Sequence, residues 1–495
     1  MAALVDENQP LLVAAEEDAR RHDEEDALHG VIDFDPNGDP ENPLEWPASF
    51  KWGIVALMAF MAFTVTFTCI SLVPVANRIA FDLEHGHENK EVSVLLVTIW
   101  ELGEAAGPLL IAPLSEVFGR YPVMNAANVL FITAIVLAAL SQSTWLFIAA
   151  RALNGVAVAS NVLNPAIVGD MFVSEERGSP MSFIMIAPLI GGAVGPAIAG
   201  AIAQSLGWRK ILWMSAILAT VCEALFLTCF RETYKVPILR RRAARLAEAT
   251  GDETLKAAAN TGDHRSLSKL WESIKRPATV ISGSSVLALL AFYGGIGFSF
   301  FYLMAVTLPD ILEGLYHLSP AAAGSSLMCF SAGSLLAIVV CERNIDSIYV
   351  KLKDANGGKG QPEFRLPLVI VGAFTLPVTV AIYGWVAELR YPLPVLLVSV
   401  GAMGFALLLA FLPLMAYVVD AFGLYSASAL TSVIVIRCLC GTFLPLTSSP
   451  AIRAFGYGWG LTFFSVFALC LAPVVVVIYR YGPRLRQRSA YSRDV

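Results

Sequence analysis

Five ionisable side chains stand inside long apolar stretches of this sequence: Glu101, Glu104, Arg151, Glu223 and Arg437. Glu101 and Glu104 are three residues apart, which sets both on one face of a helix. A carboxylate in an apolar setting that alternates between a proton and an ion-pair partner is the chemistry of a proton carrier. Arg151 keeps its charge and needs a partner wherever water is excluded. Counting depth at about 1.5 Å per residue puts Arg151 level with the two glutamates, so Glu101 or Glu104 is its expected partner. Two uses of that group stay open: proton coupling, or a structural ion pair tying two helices. Asp170, Glu342 and Asp420 fall at the ends of apolar runs, where a cap or latch is expected. Aromatics crowd Phe292–Tyr302 around Gly294, Gly295 and Gly297. They could line a cavity for flat hydrophobic or cationic molecules, or only pack. Tyr293 is the candidate there, because its hydroxyl needs a polar partner.

These residues must be held by membrane helices. The 495 residues are 56% hydrophobic and only 15% charged, against about 45–50% and about 25% in soluble proteins. That balance excludes disorder, collagen-like repeats and a nucleic-acid binder. Twelve runs have the length a bilayer crossing needs, about 20 apolar residues. Six are Trp52–Ala76, Val92–Leu114, Tyr121–Leu140, Thr144–Gly169, Met181–Ala203 and Trp208–Phe230. Six more are Thr279–Leu308, Pro320–Cys341, Leu366–Ala387, Pro392–Val419, Tyr425–Leu446 and Tyr457–Tyr479. The expected plan is an acidic tail (1–51), a six-helix half (52–230), a linker (231–278), a second six-helix half (279–480) and a basic tail (481–495). Most Lys and Arg lie in Arg231–Arg276, Arg343–Arg365 and Arg480–Arg493, which places both termini in the cytosol. No cleavable signal peptide is expected before the first span, and the acidic tail is expected to be mostly disordered. Within it, Glu7–Leu12 (ENQPLL) has the form of a dileucine sorting signal, or is a chance match. Arg240–Ala258 reads as a linker, with an amphipathic surface helix as the alternative. The eight Cys sit in or beside apolar runs without metal-type spacing, so disulfides and a metal site are not expected.

Three motifs sharpen this plan. Gly107–Arg120 (GPLLIAPLSEVFGR) falls at the turn after the second span, where Gly119 suits a reverse turn and Glu116 and Arg120 can pair or cap helix ends. Arg151–Gly155 (RALNG) lies in the fourth span. Gly191–Gly200 (GGAVGPAIAG) lies in the fifth, with small residues four apart that let a neighbouring helix approach and Pro196 favouring a kink. Together these resemble the signatures of the major facilitator superfamily, whose two six-helix halves rock about a midplane site. Asp39–Pro47 (DPENPLEWP), Asp346–Tyr349 (DSIY), Asn356–Pro367 (NGGKGQPEFRLP) and Tyr417–Ala429 (YVVDAFGLYSASA) resemble its fungal drug:proton antiporter branch, which holds polyamine, azole and mycotoxin exporters.

The resemblance implies an all-α membrane protein that exports small amphiphilic molecules in exchange for protons, as a monomer with no cofactor, most simply in the plasma membrane and alternatively in the vacuole. It implies coupling candidates Glu101, Glu104, Arg151 and Glu223, and cavity candidates Tyr293, Asn154 and Arg437. It also implies a conformational latch at Glu116, Gly119 and Arg120, and a packing role for Gly191, Gly195, Pro196 and Gly200. Glu116 stands where many relatives have Asp, and Tyr121-Pro122 replaces part of a basic run, so this latch is less charged. Symport of a nutrient or polyamine is the alternative within transport. A membrane enzyme or receptor is the alternative outside it, disfavoured because six His form no paired motif and no phosphate-cradling glycine loop occurs.

Overall fold

The computed structural model describes residues 33–35, 38–173, 176–250, 267–489 and 491–492. Glu7–Leu12 and the end of Arg240–Ala258 lie outside them. Ten helical stretches are long and apolar enough to cross a bilayer. One of them, Ser426–Arg486, is two helices joined at Gly456, where φ is 75°. The fourth expected span is broken into Thr144–Val156 and Ser160–Met171, each too short to cross alone. Counting these, the described residues make twelve crossings. We label them α1 (Ala48–Ile70), α2 (Lys90–Phe118), α3 (Arg120–Leu140), α4 (the broken pair), α5 (Gly178–Leu206) and α6 (Trp208–Cys229). The second half has α7 (Ser285–Gly314), α8 (Met328–Ala355), α9 (Leu366–Glu388), α10 (Leu393–Phe422), α11 (426–455) and α12 (457–486). An even number of crossings leaves the start of α1 and the end of α12 on one face, here the terminal face; the opposite one is the far face.

Local sequence sets the helix ends. Asn89, Ser143 and Ser284 cap α2, α4 and α7, each accepting from the amide three residues on. Two tight turns use glycine at positive φ beside a carboxylate. Gly119 (φ 101°) ends α2, and Glu232 accepts from the Arg120 and Tyr121 amides at 2.9 and 3.2 Å, countering the positive end of α3. Gly456 does the same ahead of α12, where Glu388 accepts from the Tyr457 amide at 2.7 Å. A Cβ on Gly119 or Gly456 would lie 2.2 or 2.7 Å from that carboxylate.

The end of the first tail is built into the fold. Trp46 donates to the Pro40 carbonyl at 3.1 Å and Lys51 to that of Leu44 at 2.6 Å, folding the DPENPLEWP stretch over the start of α1. It also meets the linker helix Lys235–Thr250, through Asp39–Arg242, Glu41–Arg245 and Asp33–Lys235 pairs.

The apolar core is divided unevenly. One cluster runs through the first half and continues across into far-face residues of the second, including Phe300, Leu303, Leu308, Ala323, Leu396 and Leu461. A separate cluster holds only terminal-face residues of the second half, among them Val286, Leu366, Tyr417 and Val475. The halves therefore share a core on the far side and not on the terminal side.

Candidate functional site

The residues facing the joint between halves come from α2, α7 and α11. Thr98, Glu101 and Glu104 recur every three residues along α2 and form one stripe. Opposite them α11 offers Arg437, Cys438, Gly441 and Thr442. Thr98 and Thr442 each donate to the other's carbonyl, at 3.2 and 3.4 Å. Arg437 donates through Nη2 to Glu104 Oε1 at 2.9 Å, and Tyr302 of α7 donates to Glu101 Oε1 at 2.6 Å. Both carboxylates are almost fully buried. Gly441 makes room for one of them, since a Cβ there would lie 3.2 Å from Glu101 Oε2. The Phe298 ring centroid lies 4.5 Å from the Arg437 guanidinium carbon. Glu101, Glu104 and Cys438 bring potential ligand atoms within 4.8 Å of one another, but the Arg437 guanidinium already supplies the cation there.

Arg151 differs from the expectation. It is buried in α4 at 1% exposure and donates to backbone carbonyls, Cys69 at 3.0 Å and Leu96 at 3.3 Å. Glu104 instead pairs with Arg437 and Glu101 with Tyr302. A count of depth along a helix does not say which way each side chain points around the axis. The close approach of α2 and α4 explains the substitution of partners: Cβ atoms on Gly103 and Gly155 would lie 2.1 and 1.9 Å from the Ala152 and Trp100 carbonyls. Backbones that close leave the arginine to reach main-chain oxygens. Asn154, on the same stretch, donates to the Phe131 carbonyl of α3 at 3.2 Å. Glu223 accepts from Asn128 at 2.7 Å, joining α6 to α3 away from the joint. Tyr293 is buried in the terminal-side core of the second half, and its hydroxyl has no hydrogen-bond partner among the described residues. Tyr302, in the same aromatic run, is the tyrosine that meets a carboxylate. Its signal was its place nine residues further along α7, nearer the depth of Glu101.

The expected latch is occupied within its own half. Arg120 pairs with Asp170 of α4 at 3.3 Å, donates to Ser115 at 2.5 Å and stacks over Tyr234. Glu116 is exposed and lines a cavity between the end of α2 and the start of α11. Along α5, Gly191 and Gly195 pack on α1, where Cβ atoms would meet Phe63 and Phe67 main chain at 2.8 and 3.3 Å. Gly200 faces the other half: a Cβ there would lie 2.3 Å from the Pro320 carbonyl, and one on Gly324 would lie 2.1 Å from that of Pro196. So one small-residue stripe serves both packing within a half and the closed far side of the joint.

The sequence model of the Major Facilitator Superfamily matches residues 52–445. The chain belongs to that superfamily. It is 31% identical to the "MFS transporter cpaT" of Aspergillus oryzae, over 94% of this chain and 93% of that one. It is also 31% identical to the "Efflux pump radE" of Floropilus chiversii, over 94% and 87% of the two chains. Among solved structures, a D-xylose-proton symporter matches with a TM-score of 0.66 at 16% identity, over 86% of this chain and 97% of the other. That likeness shows the fold. As a member of the superfamily the protein is a multi-pass membrane transporter and not an enzyme, and the α2–α7–α11 group lies where its two halves meet.

Proposed function

We propose that this transporter exports small amphiphilic molecules, such as drugs, toxins or secondary metabolites, in exchange for protons. It works as a monomer in the plasma membrane, with the terminal face in the cytosol and no bound cofactor. The observation that carries this reading is the pair of buried contacts, Glu104–Arg437 and Glu101–Tyr302, each joining one half to the other. A proton on Glu104 removes its charge and with it the attraction to Arg437. A substrate group that binds the Glu104 carboxylate in place of Arg437 occupies the same atoms as the proton. Proton and substrate then compete for one carboxylate, which makes their occupancies mutually exclusive, the elementary condition of exchange. The likeness to an efflux pump, that of Floropilus chiversii, supports the outward direction.

The test is pH-gradient-driven efflux by Glu104→Gln and Glu101→Gln full-length transporter. Glutamine keeps the shape but neither titrates nor carries charge. A charge-assisted hydrogen bond contributes about 1.5–3 kcal/mol, so coupled efflux should fall about tenfold or more at unchanged surface level. Unchanged efflux in both variants overturns the coupling.

A further inference from the structure

We infer that the groove between α1 and α6 holds one anionic phospholipid, its phosphate on Arg231 and an acyl chain along Gly53, Ala56 and Phe60. The groove opens on the surface of the first half and encloses about 610 Å³, within the about 300–1,000 Å³ of ordinary ligand sites. Two small, exposed residues make it. Neither Gly53 nor Ala56 sends a long side chain across, and a Cβ on Gly53 would meet nothing within 4 Å. Leu225, Thr228 and Cys229 of α6 form the opposite wall. Ile54 and Leu57 close the floor at 2% and 7% exposure, and none of the lining comes from α2, α7 or α11. The groove therefore does not lead to the joint. From Ser49 to Phe60 it runs about 16 Å at about 1.5 Å per residue, about half of a bilayer's hydrocarbon thickness. A trough one leaflet deep on the outside of the half fits an acyl chain better than a substrate bound for the joint.

Charge sets the headgroup. Arg231 stands at the terminal-face end of the groove, just past α6, and is exposed. Its guanidinium carbon lies 5.3 Å from the Phe50 ring centroid, and it has no ion pair among the described residues. The neighbouring carboxylate is already engaged, since Glu232 accepts from the amides of Arg120, Tyr121, Thr233 and Tyr234. The first turn of α1, at the same end, carries no acid, and Ser49 there offers an exposed hydroxyl. An unmatched cation at the rim of an apolar trough is complementary to a phosphate whose chains lie in the trough. A zwitterionic lipid brings its own ammonium to the same place and gains less. The bound lipid ties the start of α1 to the end of α6, beside the Glu232 that holds the α2–α3 turn.

The experiment adds dioleoyl phosphatidylglycerol or dioleoyl phosphatidylcholine to purified full-length transporter in detergent micelles. Cys229 reports occupancy through its rate of reaction with N-ethylmaleimide, and Cys470, the other exposed cysteine, is the internal control. Phosphatidylglycerol should protect Cys229 at an about tenfold or more lower concentration than phosphatidylcholine, the gain of one charge-assisted pair. It should leave Cys470 unprotected. Arg231→Gln should erase that preference and leave phosphatidylcholine unchanged. Gly53→Phe grows into open space, so the fold is kept. Measured against its own lipid-free rate, it should weaken both lipids alike. Equal protection by the two lipids, equal protection of Cys229 and Cys470, or phosphatidylglycerol protection unmoved by Gly53→Phe overturns the proposal. Protection that rises with transporter concentration at fixed lipid would put a second copy in the groove. Rhodamine 6G, a flat amphiphilic cation, protecting Cys229 ahead of phosphatidylglycerol would make the groove a substrate entrance. Either result overturns the lipid.

Discussion

The two faces of the molecule use charge in opposite ways. On the far face, ion pairs run between halves: Asp310 of α7, which also accepts from Asn77, meets Lys90 at 3.0 Å, and Arg453 meets Glu91 at 2.8 Å. On the terminal face they stay within a half. Arg120 pairs with Asp170 in the first; in the second, Arg365 pairs with Asp420 at 2.6 Å and Asp346 at 2.8 Å, and Arg486 pairs with Glu363 at 2.8 Å. Arg120–Asp170 and Arg365–Asp420 are equivalent braces, each joining the start of the third helix of its half to the end of the fourth. The difference separates two jobs. Terminal-face pairs make each half rigid, and far-face pairs make the halves one body. Rigid halves joined on one side only are what a rocking motion requires.

The comparison can be broken most forcefully at the backbone. Exposed ion pairs contribute about 0–1 kcal/mol each, whereas overpacking a tight contact costs about 1–3 kcal/mol. Gly324→Ala sets a Cβ 2.1 Å from the Pro196 carbonyl, across the joint, where neither main chain can yield. It should shift the transporter toward the far-open state by about five- to 150-fold. The readout is a cysteine at Ser448, a buried far-side position, in a background lacking the exposed Cys229 and Cys470. Its reaction with an impermeant maleimide from the far face should accelerate. Gly155→Ala makes an even closer clash, 1.9 Å from the Trp100 carbonyl, but within one half. It should lower the melting temperature and leave the labelling rate unchanged. If the two variants exchange behaviours, the division of jobs is wrong.

The same division explains what the sequence could show. Spans are legible because each is a local property, about 20 apolar residues closed by a cap such as Asn89 or Ser284. The break in α4 left no mark, because 157–159 (AVA) is as apolar as its flanks. Small-residue spacing marked Gly191 and Gly200 as contact points but could not say that they face different partners. The site was half legible. That Glu101, Glu104 and Arg437 matter follows from the cost of charge in an apolar span. That Glu104 joins Arg437 and not Arg151 depends on two helices 333 residues apart meeting across the joint. Tyr293 and Tyr302 are alike in sequence and separated only by which end of α7 reaches Glu101.

A smaller effect sharpens the far-face side. Asp310→Asn keeps an acceptor for Asn77 but removes the charge that Lys90 meets. The lysine is 46% exposed in its side chain, so solvent screens the pair. Cysteine labelling at Ser448 should rise by no more than about fivefold, the equivalent of about 1 kcal/mol, and the gain should shrink as salt is raised. A rise as large as that of Gly324→Ala would mean that charge, and not packing, closes the far face.

The smallest effect belongs to the clasp between the first tail and the linker, a terminal-face contact outside both halves. The Glu41 amide first, and the Arg242 guanidinium after it, hold the Asp39 carboxyl below its ordinary value of 3.8. A depressed carboxylate stabilises the clasp fully above that ordinary value and loses its contribution as pH falls through the lowered one. The clasp is therefore insensitive to pH near neutrality, and Asp39→Asn reproduces the acid form there. Trypsin should then cut the linker helix at Arg242 and Arg245 faster, by less than about threefold because Arg242 is part-exposed and water takes the place of its lost partner. Labelling at Ser448 should not change, since the clasp bridges no part of the joint. A change at Ser448 would show that the linker transmits strain to the far face, and the terminal-face contacts would then have to be counted as part of the gate.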